Sequence, residues 1–216
     1  MSLAHHGVLF LDELPEFSRR ALESLRQPLE DKQVSIARAT YKTTFPADFM
    51  LIGTMNPCPC GYYGSNKKEC VCTATQIHRY QQRISGPLID RIDMIVEVNE
   101  VAHTQLINEN KNYSLHKKQQ ISVVNSIREA HAIQNSRYDS SVSYNGNIPT
   151  SLFKQKLIIT PEAKHLIDTA AAKLAMSARS YFKVLRVART IADISNSEDI
   201  TPPHISEALQ FKVLLS

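Results

Sequence analysis

At 216 residues, 43 % hydrophobic and a net charge of +4, the chain is long enough to bury a core in one domain or two small ones. The positive balance is compatible with a nucleic-acid partner but too small to point to one. No apolar run reaches the roughly 20 residues of a membrane helix, and no charged-then-apolar leader opens the chain, so no membrane role and a cytoplasmic location are expected.

Residues 7–12, inside "GVLFLDELPEF", form a short apolar run ending in two carboxylates and predict a buried parallel strand. Residues 16–31 place Phe17, Leu22, Leu25 and Leu29 near helical spacing. Ser18 suits the N-cap there, and Pro28 predicts a break near the end. Residues 32–46, "KQVSIARATYKTTFP", are rich in β-branched side chains and predict a hairpin. A second buried strand is predicted at 48–56, a helix through "QIHRYQQRI" (76–84), and a third strand at 94–98, "MIVEV". Strand, helix, strand, helix, strand gives an α/β layer with a largely parallel sheet over residues 1–100. Beyond that the strand signals stop. Helices are predicted at 101–109, 116–137, 161–176, 178–195 and 202–212, with Thr160 and Thr201 as N-caps before Pro161 and Pro202. The Ser/Asn-rich stretch 137–150 predicts a loop, and residues 101–216 an all-α domain.

Ligands of open α/β sheets sit beyond the carboxyl ends of the strands, where Asp12, Glu13 and Asn56 fall. One carboxylate there suits Mg²⁺, which prefers oxygen donors. The second can orient or deprotonate a water, and the amide can touch that water or a phosphate. A solvated acid pair opening a loop is the plainer alternative. Cys58, Cys60, Cys70 and Cys72, the only cysteines in the chain, make a C-x-C-x9-C-x-C pattern in one loop. A structural Zn²⁺, disulfides and free thiols stay open for it; the reducing cytosol favours zinc over disulfides. Arg38, Tyr41 and Lys42 lie near the hairpin tip, where basic groups can meet phosphates and the ring can stack on a base.

The strings "SLAHHGVLFLDELPEF", "FMLIGTMNPCPCGYYG", "RISGPLIDRIDMIVEV" and "SARSYFKVLRVARTIADI" together resemble the Mg-chelatase-related AAA+ ATPases of the ComM/YifB type. The resemblance implies a partial AAA+, P-loop-NTPase-like three-layer core followed by a helical lid. "VLFLDE" then resembles the Walker B strand, with Asp12 for Mg²⁺ and Glu13 for the hydrolytic water, and "LIGTMNP" resembles the sensor-1 strand with Asn56. Arg91 matches the arginine finger that serves a neighbouring subunit; an ion pair with Asp90 or Asp93 is its plainer alternative. Arg179 falls at the lid's sensor-2 arginine, with Arg186 as a rival on the same helix. No Gly-Lys pair occurs among the six glycines, so the phosphate loop G-x-x-x-x-G-K-[ST] is missing. The chain is therefore expected to be the C-terminal part of a larger protein, and alone neither to bind ATP tightly nor to hydrolyse it. For the whole protein the resemblance implies an ATP- and Mg²⁺-dependent hexamer that remodels DNA, as in branch migration. A chelatase-type motor subunit and a non-enzymatic, zinc-stabilised nucleic-acid-binding module are the alternatives.

Overall fold

The computed structural model describes residues 1–38, 41–66, 68–98, 113–138 and 144–212. It is a mixed α/β chain with a short parallel sheet and a helical C-terminal part, dividing into two compact units, Met1–Ile92 and Asp93–Leu214. The predicted helix at 101–109 lies outside the described residues. No helix among the described residues is long and apolar enough to cross a membrane.

In the first unit, β1 (Val8–Leu11) pairs in parallel with β4 (Met50–Gly53), and β2 (Gln33–Arg38) pairs antiparallel with β3 (Tyr41–Pro46). The hairpin register runs from Gln33 against Pro46 to Arg38 against Tyr41, as the β-branched run predicts. β1 is not buried on both faces as expected. Leu9 and Leu11 turn toward a core of Leu14, Leu22, Leu25, Ile84 and Leu88, while Val8, Phe10, Met50 and Ile52 stay exposed on the other face. A strand alternates its side chains, so a core on one side covers only every second residue.

The predicted single helix over 16–31 is two, α1 (Arg19–Ser24) and α2 (Arg26–Asp31). Ser18 caps the first, its hydroxyl accepting from Ala21 N–H at 3.2 Å. The break lies upstream of Pro28, for a physical reason. Proline has no N–H to give to the Ser24 carbonyl four residues back, so the helical ladder is interrupted there, and Pro28 sits in the first turn of α2, where the missing donor costs nothing. α3 (Ala74–Gln81) begins at a reciprocal cap between Thr73 and Gln76, and α4 (Gly86–Ile89) follows.

Residues 94–98 do not form the predicted third strand. They have no ladder partner among the described residues, and Ile95 N–H donates to Phe211 O at 2.9 Å. Period and composition permit a strand; only a neighbour with matching register makes one.

The second unit contains α5 (Tyr113–Tyr138), α6 (Thr150–Gln155), α7 (Pro161–Lys173), α8 (Ala178–Ile194) and α9 (Pro202–Gln210). Thr160 caps α7 through Ala163 N–H, and Thr201 N–H donates to His204 Nδ1 at the start of α9. Their apolar faces meet in a core that includes Phe153, Ile167, Leu185, Ile200 and Ile205. α6 was not foreseen, and part of the expected 137–150 loop is core. Arg137 and Tyr138 end α5, and the buried Asn145 Oδ1 accepts from the Tyr138 hydroxyl at 2.6 Å.

Around Asn145 lies a polar network. Asp193, fully buried on α8, accepts from Arg137 Nη1 (2.9 Å), Arg189 Nε (3.1 Å) and Asn145 Nδ2 (2.8 Å). Arg189 spends its remaining donors on Ser197 O and Glu198 O. Such a network is stable only when every member is satisfied. Asp193→Ala is therefore expected to destabilise this unit by about 3–5 kcal/mol, because it removes the carboxylate that pairs the buried guanidinium of Arg189 and the partly buried one of Arg137. Denaturant unfolding checks this: a loss under about 0.5 kcal/mol, the usual size for a surface change, would show that the network carries no stability.

Candidate functional site

The parallel register places Leu11 beside Gly53, so the next residues of each strand, Asp12 and Thr54, emerge side by side at the carboxyl edge. Thr54 Oγ1 donates to Asp12 Oδ1 at 2.5 Å and accepts from Glu13 N–H at 2.9 Å. Thr54 O accepts from Leu14 N–H at 2.8 Å, and Thr54 N–H donates to Leu11 O at 3.1 Å. Glu13 has φ 52° and ψ 56°, a left-handed conformation that costs a non-glycine residue about 1–2 kcal/mol. The turn drops Leu14 into the core directly over Gly53. A Cβ on Gly53 would lie 2.4 Å from Leu14 Cδ1, so only glycine admits this close approach.

Asn56 is exposed three residues past the end of β4. Burial raises the pKa of Tyr80 on α3, against a lowering hydrogen bond with the Asn56 backbone. Gln81 Nε2 reaches Pro57 O at 3.3 Å. The structure thus ties Asp12 and the Glu13 backbone to Thr54 at the carboxyl edge of the β1–β4 pair, with Asn56 two residues further along the chain from Thr54. The exposed carboxylate of Asp12 is a hard oxygen donor of the kind Mg²⁺ takes, commonly one or two per ion alongside phosphates.

The four cysteines also come together. Cys58 Sγ lies 3.4 Å from Cys60 Sγ and 3.7 Å from Cys70 Sγ, with Cys60 and Cys70 at 3.6 Å. All four sulfurs lie within 4.8 Å of one another. A tetrahedral ion with bonds of about 2.3 Å to sulfur needs sulfurs about 3.8 Å apart, so the cluster can hold a metal. The thiols are free, well beyond the ~2.05 Å of a disulfide bond. The backbone of Tyr62 pulls the Cys60 thiol down to about 6. A backbone bond from Cys72 lowers Cys70, but burial and the neighbouring sulfurs outweigh it and push the thiol up to about 12.

Arg91 does not project outward. Its side chain is 12 % exposed, and its guanidinium donates to Arg26 O (3.0 Å), Pro87 O (2.7 Å) and Glu30 Oε2 (2.6 Å). The hairpin ladder closes on Arg38 and Tyr41, and Tyr41 and Lys42 are exposed. In the second unit, Arg179 is exposed in the first turn of α8. Arg186, its rival, is half-buried and donates to Asn145 O, Ile148 O and Thr150 Oγ1, which fixes the turn before α6. Thr54 was missed in the sequence although it stands in "LIGTMN"; the signal was its place level with Asp12 in a parallel pair.

A family model described as magnesium chelatase, subunit ChlI, matches residues 1–106, and one described as the C-terminal part of the same subunit matches residues 117–212. The competence protein ComM of Haemophilus influenzae is 36 % identical over 217 residues, covering all of this chain and 40 % of that protein. The uncharacterized protein YifB of Escherichia coli is 35 % identical over 219 residues, 99 % of this chain and 40 % of its own length. The uncharacterized protein Rv2897c of Mycobacterium tuberculosis is 32 % identical over 212 residues, 98 % of this chain and 41 % of its own. The chain thus spans about 40 % of the length of the curated relatives it matches.

Proposed function

This chain belongs to the family of magnesium chelatase subunit ChlI, and on that premise we propose that it forms part of a ring-forming AAA+ ATPase that couples ATP hydrolysis to remodelling DNA. The observation that supports the reading is the Asp12 carboxylate and the Glu13 backbone, both tied to Thr54 at the carboxyl edge of two parallel strands, with the exposed Asn56 following β4.

Asp12 is the residue for Mg²⁺, which supplies charge neutralisation for the phosphates. Glu13 accepts a proton from, or orients, the attacking water, and Asn56 positions that water or touches the terminal phosphate. Arg179 serves as the sensor-2 cation of the lid. The hairpin offers Tyr41 for stacking on a base and Arg38 and Lys42 for phosphates. A zinc ion in the four-cysteine cage would be structural, since four thiolates leave it no open position.

A motor that inserts metal into a porphyrin is the second reading, and the family's own description favours it. The name of the Haemophilus influenzae relative, a competence protein, favours DNA. The test is the ATPase rate of the full-length protein with and without branched DNA. Mg²⁺-dependent hydrolysis that rises several-fold with the DNA is expected, with Glu13→Gln lowering it about 10²–10⁴-fold. Absence of hydrolysis in the unmodified protein would leave the non-enzymatic binding module in its place. Hydrolysis that ignores DNA would remove DNA as the substrate.

A further inference from the structure

We infer that Thr54 is a positioning residue of the hydrolytic site, its hydroxyl fixing both the carboxylate of Asp12 and the backbone of Glu13; this rests on the ATPase reading above. One oxygen does two jobs. As donor it holds Asp12 Oδ1 at 2.5 Å, and as acceptor it takes Glu13 N–H at 2.9 Å. These partners lie 42 and 41 residues away along the chain, so the link ties the end of β4 to the end of β1.

The first bond decides which way Asp12 faces. A carboxylate has two oxygens, and a donor fixed on Oδ1 leaves Oδ2 to turn toward a ligand beyond the strand ends. The second bond holds Glu13 in its left-handed turn, a conformation that persists only where surrounding bonds over-determine it. Thr54 O, holding Leu14 N–H at 2.8 Å, adds the next anchor. The hydroxyl is the only element of this clamp that a side-chain substitution can remove, because the Leu14 bond uses the backbone.

That division supplies the experiment. Thr54→Val keeps shape and β-branching and deletes the hydroxyl; Thr54→Ser keeps the hydroxyl. Hydrogen–deuterium exchange in the full-length protein is expected to speed at the Glu13 amide by tenfold or more in Thr54→Val. The Leu14 amide keeps its protection and reports that the fold is intact, and Thr54→Ser restores Glu13. In the same variants the Mg²⁺ concentration for half-maximal ATPase is expected to rise at least fivefold in Thr54→Val and to recover in Thr54→Ser, with KM for ATP unchanged.

Equal loss of protection at Glu13 and Leu14 would make Thr54 a structural residue only and overturn the inference. So would exchange at the wild-type rate, or an unmoved Mg²⁺ dependence. If the wild-type protein hydrolyses no ATP, the functional reading falls and the positioning role with it, while the exchange of Glu13 still decides the clamp by itself.

Discussion

Cys58→Ser is expected to reduce bound zinc from about one ion per chain to below roughly 0.3, and to open residues 57–73 to proteolysis. Cys58 is the buried member of the cage, and its sulfur also accepts from Tyr63 N–H at 3.3 Å. The loop has few apolar anchors of its own: Tyr63 and Val71 are exposed. Ordering it must be offset by a cross-link, and structural zinc contributes on the order of 10–16 kcal/mol of apparent binding energy in small zinc-binding peptides. The pH dependence has a definite sign. With its thiol pushed up to about 12, Cys70 is protonated near neutrality, as is Cys72, raised mainly by burial, while Cys60 at about 6 is largely thiolate. Zinc must displace at least those two protons, so its affinity falls as pH falls, by about one decade per proton for each pH unit, about a hundredfold in all. Elemental analysis after preparation without chelators, repeated on Cys58→Ser, and a zinc titration at two pH values check this. Full zinc occupancy in the serine variant, or an affinity indifferent to pH, would remove the metal from the loop.

What the sequence made legible follows from how far each signal reaches along the chain. The caps at Ser18 and Thr160 and the helices beginning at Pro161 and Pro202 rest on neighbours within four residues, the hairpin on partners no more than 13 residues apart, and all of them formed. The cysteine pattern is nearly as local, two pairs in one loop, and the structure gathers it. The Pro28 break was legible in kind but misplaced, because the missing N–H belongs to a carbonyl one turn upstream. Signals that needed a partner far away failed. The stretch 94–98 has strand composition without a strand neighbour among the described residues. Asn145 looked like a loop residue until Gln134, Thr190 and Asp193 surrounded it. Thr54 becomes a site residue only through the register of β1 against β4. Arg91 belongs to the same class, since its partners Arg26 and Glu30 lie 65 and 61 residues away.

Arg91 therefore carries the sharpest conflict between an assigned role and an observed geometry. A finger that stabilises charge in a neighbouring subunit has to reach out, and this guanidinium is occupied at home by two carbonyls and a carboxylate. Both uses cannot share one arrangement, so finger action requires the bond to Glu30 to be exchanged for one across a subunit boundary. Glu30 is itself 43 % exposed but the Arg91 side chain only 12 %, so the exchange gives up a partly buried ion pair together with the bonds to Arg26 O and Pro87 O, which partners across the boundary have to replace. Arg91→Ala in the full-length protein is expected to lower ATPase on the order of 10³-fold or more, the scale of an arginine supplied in trans, and to destabilise the first unit by about 1–3 kcal/mol through its unpaired carbonyls. Glu30→Gln is expected to weaken only the clamp, leaving hydrolysis intact. Mixing decides between the roles. Rings assembled from equal parts of Arg91→Ala and Glu13→Gln chains contain boundaries where an intact Glu13 faces an intact Arg91, so activity absent from either variant returns. If the mixture stays silent while Arg91→Ala merely melts earlier, Arg91 is a clamp between α2 and α4, and the cation acting across the boundary has to be sought elsewhere.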